Sequence, residues 1–371
     1  MLRLTVPLVL CCAMAQAQNL GCTFDPNVDG YIEVPHSAQV VPRSGITVEA
    51  WFTYDDAALP SGWRYPTIMR QGIGPQGENI MLRVDADNSA QRELRWRIKT
   101  TSGATFDCNY LFAPGEFLVW THVAGTYDGN TLALYINGQQ VVSTATNGEA
   151  IRDVVDVLRI GKGSDVATPI EVWNGELDEV RLWPFARTAE DIQQTMNLEV
   201  QSVPGYVSTW NLNGDALDSS SDQHGVIGGT VAFTVNPLPL TGAPTAFGIA
   251  AGAGTPGCTG ELRLCPSGPS VTNYADYRLV CTRTAPSSFV FWGASLQAAP
   301  APLSFLGVDV WLDPSSLVAV GLTANGLGSA GLNLPIPPTA SGFSFVAQCL
   351  VPDACAAQGW AASDALVLVV Q

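Results

Sequence analysis

The stretch Trp120 to Val142, WTHVAGTYDGNTLALYINGQQVV, constrains the fold of this chain more than any other. Asp128-Gly129 and Asn137-Gly138 are dipeptides that accept the positive φ angles of a tight hairpin turn. Between them Leu132, Leu134 and Ile136 alternate with Thr131, Ala133 and Tyr135, so one face is apolar. The spacing predicts three antiparallel strands. A meander with one apolar face must cover it, most simply with a second sheet. The same alternation recurs at Ile46 to Thr53, and Ile80 to Val84 and Leu94 to Lys99 read as a further strand pair. Abundant Gly (36) and Pro (25), with only 13% charged residues, favour many short strands over long helices. One helix is predicted: Thr188 caps it, Asp191 completes a capping box, and Ala189, Ile192 and Met196 share a face. Its expected place is one end of a sandwich.

A length of 371 residues accommodates about two domains. Met1 to Ala17 reads as a signal peptide: Arg3, an apolar run from Leu4 to Met14, then Ala15-Gln16-Ala17 as a cleavage site. The apolar run is too short to span a bilayer, and no later stretch qualifies as a transmembrane segment. The expected location is therefore secreted or cell-surface. Seven cysteines remain after the leader, in a setting that permits disulfides. Cys265 and Cys281 sit symmetrically about a loop near Thr272-Asn273 and are expected to pair across a hairpin. Cys349–Cys355 and Cys22–Cys108 are further expected pairs, with Cys258 left over. The net charge of −16 excludes a phosphate-neutralising surface, hence no nucleic acid partner. No CxxC pair and only three His argue against a zinc site.

The chain divides by composition. Residues 18–236 carry nearly all the charge and most of the aromatics. Residues 237–247, with Pro237, Pro239 and Pro244, read as a linker. Residues 248–371 lack Lys, hold few acids, and predict a smaller β-sandwich. The blocks Asp29-Gly30-Tyr31-Ile32-Glu33-Val34-Pro35, Ile46 to Trp51, Trp120 to Ala124, Leu134 to Gly138, Leu158 to Gly161 and Asn174 to Trp183, in that order, resemble the laminin-G-like, concanavalin-type jelly-roll family. That resemblance implies an all-β chain: a concanavalin-like jelly-roll sandwich of two antiparallel sheets, followed by the smaller sandwich. It also implies a glycan or extracellular protein as ligand, often with a calcium ion at one rim. Trp210 to Ser221 is similar to the family's opening segment but comes last. It is expected to fold back and supply strands to the first sandwich, since a lone strand pair has no core. The second domain resembles a C-terminal β domain that recurs in large secreted bacterial proteins of unassigned function, through Gly257-Cys258, Leu334-Pro335-Ile336-Pro337 and Ala362 to Leu366.

Chemistry is sparse. Jelly-roll glycosidases carry alternate carboxylates on one strand, facing a cleft. Here Glu176 and Asp178 fall on one face, Val180 takes the third place, and Glu179 is expected to point the other way, so no catalytic set is complete. The reading is a non-enzymatic binding protein, with a polysaccharide hydrolase or a protein-binding surface protein as alternatives. Asp178, Asp218 and Asp222 supply oxygens for calcium. The competing role of Asp218 is an Asx turn. Trp63 and Tyr65, in a Pro- and Gly-containing loop, offer aromatic faces to a sugar. There is no P-loop, G-x-S-x-G, HExxH or EF-hand loop.

Overall fold

The computed structural model describes residues 19–43, 45–55, 64–74, 77–86, 92–165, 171–203, 205, 207–238, 240 and 245–371. The expected leader and Trp63 lie outside the described residues.

Two antiparallel sheets form the first sandwich. The first sheet runs in the order Gln139–Ala145, Thr131–Ile136, Thr121–Tyr127, Ile46–Phe52, Gly175–Trp183, Leu20–Phe24 and Ala232–Val235, with Ser208–Trp210 also paired to Gly175–Trp183. The second runs Val226–Gly228, Tyr31–Val34, Leu158–Ile160, Thr67–Gln71, Ile80–Asp85, Arg92–Lys99 and Thr105–Phe112. The meander forms with Asn137 at φ 48 and Gly138 at φ 73, the left-handed pair that a tight turn needs. Leu132 and Leu134 enter the core with Val48, Phe52, Leu82 and Trp96. The segment after the helix folds back. It adds Val226–Gly228 to the edge of one sheet and Ala232–Val235 to the edge of the other, while Trp210 and Leu212 join the same core.

The helix Ala189–Thr195 carries the capping box: Thr188 Oγ1 accepts from Asp191 N, and Asp191 accepts from Thr188 N. Its position differs from the sequence expectation. It lies flat on the outer face of the first sheet, where Ile192 packs on Ala124, Ala133 and Tyr135. The reason is in the meander itself, whose second face is Ala-rich enough to admit a helix. The meander is thus covered on both sides.

The second sandwich opposes a six-stranded sheet and a three-stranded sheet. The longer path runs Ile249–Ala251, Ala365–Val369, Ser344–Pro352, Phe289–Ser295 and Val318–Thr323. Trp360–Ala362 is paired to Ser344–Pro352 off that path. The smaller sheet is Arg263–Pro266, Arg278–Thr282 and Ala330–Asn333, and a separate ribbon pairs Ala298–Phe305 with Val308–Leu312. The described end of the stretch expected as a linker meets the first sandwich: Thr245–Ala246 pairs with Val200–Ser202. Phe247 stacks on Trp183 at 6.0 Å, in one apolar cluster with Phe185, Val203, Cys265 and Val280.

The cysteines pair differently from the expectation. The bonds are Cys258–Cys355 and Cys281–Cys349, while Cys22, Cys108 and Cys265 are free and buried. Cys265 and Cys281 do lie on paired strands, but the register sets Cys265 opposite Val280 and Cys281 opposite Leu264. One residue of offset sends the two thiols to opposite faces. Cys265 enters the interdomain cluster and Cys281 the second core. Cys349 pairs inward with Cys281 across the sandwich, leaving Cys355 to Cys258. Cys22 and Cys108 sit towards opposite ends of their sheets. Cys22 is next to the edge strand Ala232–Val235, and Cys108 is on the far edge strand Thr105–Phe112. Several strand widths of about 4.8 Å separate them.

Candidate functional site

The two outer faces of the first sandwich both carry arginines and carboxylates, and they differ in what covers them. On the first sheet the strand Gly175–Trp183 contains a bulge: Asp178 pairs with Trp51, and the next paired residue is Arg181, opposite Glu49. Glu179 takes φ 48 there. The extra residue turns Asp178 and Glu179 to the same outer face, while Leu177 and Val180 both enter the core. The alternation expected from the sequence, with Glu179 pointing away, is interrupted at this point.

The helix and the segment after it bury this outer face. Glu49 is fully buried and accepts from Arg187 Nη1 at 2.9 and 3.0 Å, Trp183 Nε1 at 2.9 Å and Arg181 Nη1 at 3.3 Å. Burial pushes its carboxyl up, but Arg187 and Arg181 together outweigh that and hold it at about 2. Burial drives His122, 4.0 Å from Glu49, down to about 4. Glu179 is paired with Arg181 at 2.7 Å, yet burial prevails and lifts it to about 7. Arg187 Nη2 also donates to Ser267 O at 3.0 Å, and Asp191 accepts from Tyr274 OH at 2.6 Å and pairs with Arg278. Those three partners belong to the second sandwich. The network is a bracket between the domains, and a substrate has no route to its carboxylates.

The three aspartates expected to hold calcium do not come together. Asp178 is buried, well above the usual carboxylate range through burial and then the charge of Glu179. Its Oδ2 accepts from Asn19 and Asn236 amides at 3.0 and 2.9 Å, and its Oδ1 from Glu179 N at 2.7 Å. Asp218 is the keystone of its own turn: Oδ1 accepts from the amides of Thr209, Ser220 and Ser221, and Oδ2 from Ser221 Oγ and Gln223 N. Asp222 is exposed at φ 58. Among the described residues the one cluster of three metal-capable groups is Cys258, Asp353 and Cys355, whose cysteines form a disulfide. Oxygens already aimed at N–H and O–H donors do not fit a shared calcium site. Asp218 takes the Asx-turn role.

The outer face of the second sheet is only partly covered: Arg95, Arg97 and Lys99 keep about a fifth of their side-chain surface in solvent, while Arg70, Glu78, Arg159, Lys162 and Glu171 are buried. Leu94, Trp96 and Ile98 point into the core, so Glu93, Arg95, Arg97 and Lys99 point out. Neighbouring strands continue the pattern and build a ladder. Arg83 meets Asp85 at 2.5 Å, Asp85 meets Arg95 at 2.6 Å, and Arg97 grips Asp107 through two bonds of 2.6 and 2.8 Å. Glu78 collects Lys99 and Arg97, and Arg70 pairs with Glu171. At the far side Arg159 bridges Glu33 and Asp165, and Lys162 bridges Asp29 and Asp165. Two aromatic rings border the ladder. Tyr65 lies 4.2 Å from the Arg83 guanidinium, and Tyr31 lies 4.3 Å from that of Arg159. Tyr65 thus joins the ladder, whereas the sequence reading had placed it in a separate loop site. Tyr31 and the arginines were missed because each reads as an ordinary surface residue of a strand. The signal available was the alternation R-E-L-R-W-R-I-K at Arg92–Lys99, which puts four charges on one face.

Residues 26–193 match the family model described as the concanavalin A-like lectin/glucanases superfamily, Laminin_G_3. The first sandwich is laminin-G-like, of concanavalin type. Curated relatives include pappalysin-1 of Mus musculus, 33% identical over 96 residues, and of Homo sapiens, 31% identical over 122 residues. The matches cover 25% and 30% of this chain but only 6% and 7% of those proteins. Similar solved structures include a putative carbohydrate binding protein from Bacteroides ovatus (18% identity, TM-score 0.45, 61% of this chain and 62% of that one). A heptameric SAP-like pentraxin from Limulus polyphemus also matches (16% identity, TM-score 0.39, 60% of this chain and 98% of that one).

Proposed function

We propose that this is an exported, non-enzymatic binding protein whose first sandwich recognises a glycan on the outer face of its second sheet. The observation that carries the reading is the ladder itself. Its guanidinium–carboxylate pairs present donors and acceptors side by side, as a row of sugar hydroxyls requires, and Tyr31 and Tyr65 supply rings for stacking. Because each cation in the ladder already has an acid partner, a neutral polyhydroxylated ligand suits it better than a polyanion. Export is supported by two disulfides, and among the described residues no helix is long and apolar enough to cross a membrane. The non-enzymatic reading is supported by the burial of Asp178 and Glu179 beneath the helix and its following segment, since a glycosidase needs two carboxyls flanking an open cleft.

The test is a glycan array followed by calorimetry on the best ligand. Tyr65→Ala and Arg83→Ala should each weaken binding while leaving the melt in place. Binding that survives both substitutions, or release of reducing sugar by pure protein, refutes the proposal.

A further inference from the structure

The second sandwich is not closed along one edge. The strand Val318–Thr323 pairs with Phe289–Ser295 on one side and ends its sheet on the other. Val320 sits opposite Trp292, whose side chain lies in the core, so Val318, Val320 and Leu322 belong to the core-facing row. Yet Val318 is 71% and Val320 43% exposed. They line a groove of about 490 Å³ between the two sheets, with Phe345 on the same sheet and Leu332, Leu334 and Ile336 on its other wall. No residue lining this groove is ionisable.

The first sandwich treats its edges differently. Gln139–Ala145 is polar and broken by a register shift, Thr105–Phe112 carries Asp107, and Val226–Gly228 and Ala232–Val235 are only three and four residues long. These are the ordinary ways of preventing strand addition. Val318–Thr323, with the sequence VAVGLT, has no charge, no proline and no bulge over six consecutive pairs. It is an uncharged edge with no strand on its outer side, and its core-facing row is left largely in solvent.

We propose that the covering strand is the same strand of a second copy, added antiparallel about a two-fold axis so that two six-stranded sheets become one. Two observations favour a second copy over a foreign peptide. An uncharged edge is self-complementary, so a two-fold axis can pair it with itself without opposing like charges. The charge of the chain is also segregated: residues 248–371 hold six of the 33 acids and three of the 17 Lys and Arg. Two copies of this acidic protein therefore repel least when they meet through this domain. The dimer holds two ladder faces on one particle, and a repeating ligand would engage both, raising its apparent affinity without any new contact.

Sedimentation and light scattering of the full chain test this from low to high micromolar protein. The expected result is a mass twice that of the chain, falling to the single-chain value in Val318→Lys and Val320→Lys. Both variants should keep the wild-type circular dichroism spectrum. Val226→Lys, an exposed edge residue of the first sandwich, should leave the dimer intact. Amide hydrogen exchange supplies a readout that needs no variant: the amides of residues 318–323 should exchange more slowly as concentration rises. A chain that stays monomeric across the range overturns the proposal, even if it captures a foreign peptide. So does a dimer that survives both lysine substitutions.

Discussion

The two outer faces of the first sandwich use the same chemistry to opposite ends. Each sets arginines against carboxylates along neighbouring strands. On the first sheet, Glu49, Arg181 and Arg187 are almost wholly buried; on the second, Arg95 and Arg97 keep 18% and 21% of their side-chain surface in solvent. Burial decides the role. A desolvated ion pair is costly to form and far more costly to break, whereas a wet one contributes little to stability and stays available for exchange with a ligand. The first face therefore organises the molecule, and the second keeps Arg95 and Arg97 partly in solvent, where the proposed ligand would meet them.

The largest expected effect is on the buried face. Glu49→Ala removes one acid from between Arg187, Arg181 and Trp183 and leaves two buried guanidinium groups short of a partner. A loss of about 3–5 kcal/mol is expected, read as a fall in melting temperature. Because Arg187 also bonds Ser267, the second sandwich should loosen too, giving faster proteolysis between the domains. A stable Glu49→Ala protein would show that the buried network does not hold the two sandwiches together.

Next is the ladder face. Arg95→Ala, in the middle of the ladder, should cost less than about 1 kcal/mol by the same melt. Its glycan affinity should nevertheless fall about tenfold, the equivalent of about 1.4 kcal/mol. If the stability loss matched that of Glu49→Ala, the ladder would be a structural bracket and the binding assignment would fall with it.

What was legible in the sequence follows the same division. Strand alternation identified the sandwich, and Thr188 with Asp191 identified the helix start, because both depend on residues near one another in the chain. The inserted residue at Asp178–Glu179 was hidden. A bulge breaks period two without any residue type that demands it, so the placement of Glu179 failed there. The Cys265–Cys281 expectation failed by one residue for a related reason: hairpin symmetry gives the partner strand but not the register. The ladder was hidden in part because each member reads as an ordinary surface residue of a strand, and in part because some pairs join distant residues, as Glu33 joins Arg159. Helix docking was equally invisible, since Asp191 serves as a capping residue and, through Tyr274 and Arg278, as the contact to the second domain.

A smaller effect concerns pH. Glu179 has its folded pKa raised to about 7 from 4.5, so the folded state holds the proton more tightly. Its contribution is present below the unfolded value and is lost as pH rises through about 7. His122 acts in the other direction. Its pKa is lowered from 6.5 to about 4, so its contribution is present above 6.5 and is lost as pH falls towards 4. In the wild type the two slopes oppose each other between these values. Glu179→Gln removes one of them and should make stability rise more steeply with pH across that range, measured as denaturation midpoints in a pH series. An unchanged profile would mean that Glu179 is ionised throughout.

The smallest expected effect is that of calcium on the first sandwich. A cation that bound only the folded state would stabilise it, by about 2.7 kcal/mol at a hundredfold excess over its dissociation constant. Such binding at Asp218 requires oxygens free to turn towards the ion, and each oxygen there already accepts from two or more donors of its own turn. Breaking those bonds would cost more than the turn could recover. Asp178 is held by two neighbouring amides that flank paired strands, Asn19 and Asn236, and these stitch the edge strands together without a metal. Melts with calcium and with chelator should therefore coincide within about 0.5 kcal/mol, the ordinary scatter of neutral changes. Asp218→Ala should destabilise in both conditions alike, because it removes the keystone of a turn. A calcium-dependent shift abolished by Asp218→Ala would restore the metal site and would place a third role, cation binding, on the rim between the two faces.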